Sequence, residues 1–236
     1  MAGLLSAISL RGYGAWAGLR KLLIAASFTG FATLNTLSPA LAEPIIAALG
    51  DSLTAGYGLV DQEGLVPQLS RWLAAQDHKA VIQNAGVSGD TTAGGLARLD
   101  WALGPEVEGL ILALGANDML RGIDPAQSRA NLAAILAKAK ARDLPVLLVG
   151  IKATGNFGPD YKTQFDSIYP DLAAEYEAGL MPDFFAPLTA LNDGTPASFR
   201  RYMQPDGLHP SAEGISVIVD ALGPHVITLL AEIETE

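Results

Sequence analysis

Short apolar runs alternate with longer stretches of helical period along most of the chain. The runs Ile45–Leu49, Ala80–Gln83, Gly109–Leu114 and Val146–Ile151 are nearly continuous in apolar residues, as strands buried on both faces are. Between them, Gly64–Gln76, Thr92–Leu103, Pro125–Arg142 and Tyr161–Glu177 carry the helical period, and Pro125 suits a first turn. A last helix follows Pro210 and runs to about Ile233, with Gly223-Pro224 as a candidate interruption. Strand and helix alternating with one crossover each predict an α/β fold, a three-layer α/β/α sandwich around a doubly wound, mainly parallel sheet. Ligands of such sheets bind at the carboxyl ends of the strands. Gly50–Ser52, Asn84–Gly89 and Gly115–Asp118 each follow one of the first three runs directly, so three separate pieces of sequence converge on one edge.

The N-terminal pattern is different. Arg11, Arg20 and Lys21 precede an apolar run, Leu22 to Leu34, which ends in Ser38-Pro39-Ala40-Leu41-Ala42. This predicts a secretory signal peptide over residues 1–42, cut after Ala42, and a periplasmic or secreted protein. The run is short of the ~20 apolar residues a spanning helix needs, so no stable membrane anchor is expected after cleavage. Residues 43–236 remain, a length that suits a single domain, with no linker, repeat or low-complexity tract. Without cysteine the chain carries no lipidated thiol and no disulfide. Losing the three basic residues of the leader takes the formal charge from −10 to −13. Such an acidic surface repels phosphate backbones and argues against nucleic acid as a partner.

The chemistry begins at Gly50-Asp51-Ser52-Leu53, where a buried strand gives way to a turn that carries a hydroxyl. A serine there is most often a helix cap. To act as a nucleophile it needs a base to take its proton and a carboxylate to orient that base. Asp206-Gly207-Leu208-His209 supplies both from one tight loop, which Pro210 limits at its end. His78, in a polar stretch, and His225, inside the last helix pattern, read as ordinary histidines. With three histidines, no cysteine and no His-Glu-x-x-His pattern, a dedicated zinc site is not expected. No Gly-x-x-x-x-Gly-Lys phosphate loop occurs, and Gly86-Val87-Ser88-Gly89-Asp90 ends in aspartate where an α/β-hydrolase elbow needs glycine.

Gly50-Asp51-Ser52-Leu53, Asn84-Ala85-Gly86-Val87-Ser88-Gly89-Asp90-Thr91, Gly115-Ala116-Asn117-Asp118 and Asp206–His209 resemble, in order, the four blocks of the SGNH or GDSL hydrolases. Thr54-Ala55-Gly56-Tyr57 and Gly95-Leu96-Ala97-Arg98-Leu99 look like the thioesterase I, lysophospholipase L1 and arylesterase branch. The resemblance runs from about Ile45 to the last helix and implies a flavodoxin-like SGNH fold. It also implies a catalytic set of Ser52, Asp206 and His209, with the N–H groups of Ser52 and Gly89 and the Asn117 amide as oxyanion donors. Asp51, Asn84 and Asp118 are left as braces of the loops. No cofactor is implied; a monomer acting on small acyl esters, thioesters or lysophospholipids is expected. Ile151–Pro159 reads as a loop at the mouth of the site that would set acyl-chain preference. Ala116, where relatives have glycine, and Gly58-Leu59 after Tyr57 depart from the branch. The alternatives are a carbohydrate acetylesterase, against which the few aromatic residues weigh, and a non-catalytic acyl-ligand binding protein.

Overall fold

A computed structural model describes residues 43–235; the predicted leader and its cleavage site lie outside them. The described residues form a five-stranded sheet of β1 (Ile45–Gly50), β2 (Val81–Gly86), β3 (Gly109–Ala113), β4 (Val146–Val149) and β5 (Gly179–Met181). All pairings are parallel and the order is β2-β1-β3-β4-β5. The chain therefore reverses its winding between β1 and β3, which places the switch point of the sheet beside Gly50.

The helices are α1 (Ser52–Ala55), α2 (Leu65–Ala75), α3 (Thr92–Ala97), α4 (Leu99–Ala102), α5 (Ala116–Leu120), α6 (Pro125–Lys140), α7 (Pro159–Tyr176), α8 (Ala186–Leu191), α9 (Pro196–Tyr202) and α10 (Ala212–Ile233). One layer pairs α2 with α10; in the other, α6 packs against both α3 and α7. The central strands are buried almost throughout, whereas β2 is buried only at Ile82 and Ala85 and β5 only at Met181, as edges of a sheet are. That explains why β1, β3 and β4 are continuous apolar runs.

Three boundaries depart from the periodicity. β2 extends through Gly86, so Asn84–Gly86 are the last residues of a strand and only Val87 onward is loop. The expected helix over Thr92–Leu103 is broken at Arg98, which leaves helical geometry at φ −106°, ψ 8°. At the far end α10 is continuous through Pro224. Gly223 makes room for the Trp72 ring, which a Cβ would meet at 2.3 Å, and Trp72 Nε1 donates to Asp220 at 3.0 Å. By length and composition α10 could cross a membrane, yet Ile218, Leu222, Val226 and Leu229 are buried in the core.

Candidate active site

Asp51 closes β1 and caps α1, its Oδ1 accepting the Leu53 N–H at 3.0 Å, so that Ser52 is the first residue of the helix. The loop between α9 and α10 comes to meet it. Met203 pairs with Pro210 in an antiparallel bridge, and the N–H of Gln204 donates to the His209 carbonyl at 2.7 Å. This folds Asp206 and His209 onto one side of a tight turn. Asp206 Oδ1 accepts the N–H groups of Leu208 (2.9 Å) and His209 (3.1 Å), while Oδ2 lies 2.6 Å from His209 Nδ1. His209 Nε2 is 2.8 Å from Ser52 Oγ. The Leu208 N–H, and then the His209 side chain and N–H, pull the Asp206 carboxyl down to about 2. An ionised carboxylate only accepts, so it holds the proton on Nδ1 and leaves the Nε2 lone pair for the serine O–H. The Tyr57 ring lies 4.7 Å from the imidazole, and Gln204 Nε2 ties the carbonyls of Tyr57 and Pro210 together at 2.8 and 2.9 Å.

Two further loops complete the edge. Gly89, after β2, has φ +83°, a conformation other residues rarely adopt, and Arg121 Nη2 donates to its carbonyl at 2.7 Å. Gly115, after β3, has φ +120°; a Cβ there would stand 2.2 Å from the Tyr169 hydroxyl, which itself donates to the Leu114 carbonyl at 2.9 Å. This turn starts α5 and brings Asn117 over the switch point, where its Nδ2 donates to Asp51 Oδ2 at 3.3 Å. Asp118 turns inward and accepts from Thr92 N, Thr92 Oγ1 and Ser128 Oγ at 2.8, 2.5 and 3.0 Å, which is a bracing arrangement. Asn84 braces its own strand end, accepting the Gly86 N–H at 3.0 Å.

Ser52, Gly89, Asn117 and His209 face one cavity of about 500 Å³, walled by Leu120, Ile151, Phe185, Met203 and Leu208. The size and apolar walls suit a small organic ligand. Ile151, Lys152 and Thr154 bring the loop after β4 to this cavity as expected. That loop is pinned from α7, where Asp166 accepts the Ala153 N–H at 2.7 Å and Lys162 donates to the Ala153 carbonyl at 2.6 Å. Among the described residues, no group of three or more His, Asp or Glu converges as a metal site.

Two features escaped the sequence. Arg98 donates to Asp90 (2.6 Å) and to the carbonyls of Ala85 (2.7 Å) and Gly50 (2.9 Å), joining the ends of β1 and β2 to the loop that carries Gly89. An arginine in the apolar stretch from Gly95 to Leu99 was the available signal. Asp51 is 1% exposed, and burial pushes its carboxyl up to about 6 against the pull of the Leu53 N–H and the Asn117 amide.

The model of the GDSL-like lipase/acylhydrolase family matches residues 48–215, from within β1 to the first turn of α10. The chain belongs to the GDSL-like lipase/acylhydrolase family. Within it, the chain is 35% identical over 213 residues to Esterase TesA of Pseudomonas aeruginosa, covering 90% of this chain and 100% of the relative. It is also 35% identical over 192 residues to thioesterase 1/protease 1/lysophospholipase L1 of Escherichia coli, covering 80% and 86%. Among solved structures, AlinE4, an SGNH-hydrolase family esterase, is 41% identical with a TM-score of 0.63, covering 80% of this chain and 97% of its own. The psychrotrophic esterase EstA from Pseudoalteromonas sp., inhibited by monoethylphosphonate, is 33% identical with a TM-score of 0.71, covering 80% and 100%. The GDSL-like fold and the four blocks thus coincide in one chain.

Proposed function

We propose that the protein is a serine ester hydrolase that works through an acyl-enzyme formed on Ser52. The observation that carries this reading is the relay of 2.8 Å from Ser52 Oγ to His209 Nε2 and 2.6 Å from Nδ1 to Asp206, opening on an apolar cavity. His209 takes the serine proton as Oγ bonds to the acyl carbonyl carbon. Negative charge grows on the carbonyl oxygen, where the N–H groups of Ser52 and Gly89 and the Asn117 amide donate, each such donor being worth ~10²–10³ in rate. The tetrahedral species collapses, and His209 returns the proton to the departing alcohol, phenol or thiol. Water, deprotonated by the same imidazole, then releases the acid and restores Ser52.

The acyl chain lies against Leu120, Ile151, Phe185 and Leu208 in this reading, and aryl esters, acyl thioesters and lysophospholipids are its substrate classes. Export and cleavage after Ala42 would put the enzyme, a monomer, among envelope esters rather than the cytoplasmic acyl-CoA pool.

The test is hydrolysis of p-nitrophenyl esters from acetate to palmitate by the protein and its Ser52→Ala variant. Turnover that falls ~10³–10⁶-fold in the variant is expected. Near-normal turnover by Ser52→Ala would remove the serine from the mechanism. No turnover at any chain length would favour a binding protein, or, with acetate released from acetylated glycan, a carbohydrate acetylesterase.

A further inference from the structure

Two carboxylates among the described residues are fully buried, and they are satisfied differently. Asp118 accepts three hydrogen bonds from Thr92 and Ser128, neither of which lines the cavity. Asp51 has the Leu53 N–H on one oxygen and the Asn117 amide on the other. Capping α1 requires only the first contact, and asparagine or serine caps a helix as well as aspartate does. A buried charge is therefore more than the helix end needs.

The second contact gives the charge a use. An amide presents a donating nitrogen and an accepting oxygen of nearly equal size, and a neighbour that donates as well as accepts would tolerate either. An ionised carboxylate tolerates only the nitrogen. We propose that Asp51 is a positioning residue that, by accepting one N–H of the Asn117 amide, keeps the amide nitrogen rather than its oxygen turned to the cavity, where the second N–H meets the oxyanion. This rests on the reading of Asn117 as an oxyanion donor. An inverted amide would set a carbonyl dipole against the developing charge, converting a stabilising group into a repelling one.

The groups acting on Asp51 come from each loop of the site. His209 favours its charge; Asp90, after β2 and paired with Arg98, opposes it. Once protonated, Asp51 can donate as well as accept and no longer discriminates between the two ends of the amide.

The experiment is a double-mutant cycle of Asp51→Asn and Asn117→Ala on the purified protein, with kcat and KM measured separately on a p-nitrophenyl ester across pH. Asp51→Asn keeps the cap and the shape. It should lower kcat roughly 10- to 10²-fold, leave KM within about twofold, and cost almost nothing further once Asn117 is alanine. The acid limb of log kcat should become shallower in the variant, since the Asp51 ionisation is gone. Wild-type kcat in Asp51→Asn, or losses that multiply independently, would reduce Asp51 to a helix cap. Full activity in Asn117→Ala would overturn the donor reading itself, and this inference with it, whatever Asp51→Asn does. Should Asp51→Asn fail to fold, the side-chain amide resonances of Asn117 in the unmodified protein decide: they should titrate with Asp51, and constant resonances would overturn the proposal.

Discussion

At the scale of single residues, Asp206 and Asp51 are carboxylates held in opposite ways. Asp206 sits at the surface with three donors and is drawn down to about 2, so it stays charged through mild acid. Of the two carboxylates, only Asp51, raised to about 6, changes charge in mild acid. Replacing Asp206 by asparagine removes the acceptor-only partner of Nδ1 and lets the imidazole carry its proton on Nε2, facing Ser52. We expect kcat to fall by about 10⁴ with the fold intact; steady-state kinetics with a thermal melt checks this, and a loss under tenfold would mean the carboxylate does not set the tautomer. Ser52, Asp206 and His209 were legible because each stands in a short stretch whose chemistry is local. The Asp51–Asn117 contact joins residues 66 positions apart and has no local signature.

At the scale of elements, the edge depends on how strand ends are fastened, and Arg98 fastens three pieces at once. Its side chain is 18% exposed and that of Asp90 12%, so removal would leave a largely buried carboxylate unpaired and take the guanidinium from the Ala85 and Gly50 carbonyls, of which Gly50 keeps the Val87 N–H. Arg98→Ala should destabilise the protein by about 3 kcal/mol and lower kcat roughly tenfold, because the carbonyl of Gly50 and the loop of Gly89 lose a common anchor. Arg98→Lys should recover only part, since an ammonium cannot span three acceptors in a plane. Urea titrations of both variants test this; an unchanged midpoint in Arg98→Ala would refute the clamp. The misplaced boundary falls at the same residue, where the backbone leaves helical geometry, and the period through Leu103 did not reveal that. Strands β1, β3 and β4 were readable because both faces are buried, whereas β5 is three residues long and too short to show a period. Helices α5, α8 and α9, of five to seven residues, are too short to show a helical period, and none of them is assigned from the sequence.

At the scale of the whole molecule, the layered α/β architecture and the convergence of three loops on the switch point followed from the alternation of runs. The free energy of the fold carries a cost that the alternation does not show. Burial raises the Asp51 carboxyl from its ordinary 3.8 to about 6, so the folded protein binds this proton more tightly than the unfolded chain does. Stability contributed by this group therefore falls as pH rises from 3.8 through 6, and the penalty is complete above that window. Its upper size is about 3 kcal/mol, from some two pH units at 1.36 kcal/mol each. Asp51→Asn carries no such charge, so its stability relative to the parent should improve by up to that amount between about pH 4 and about pH 7.5, as read by urea unfolding at each pH. Surface carboxylates and the formal charge of −10 act on both proteins alike and cancel in the difference. A gap that stays constant with pH would mean that Asp51 does not titrate in the folded state. A gap that widens while kcat falls would show stability given up at neutral pH to keep a charge beside the Asn117 amide, the trade expected where a group is retained for chemistry rather than for the fold.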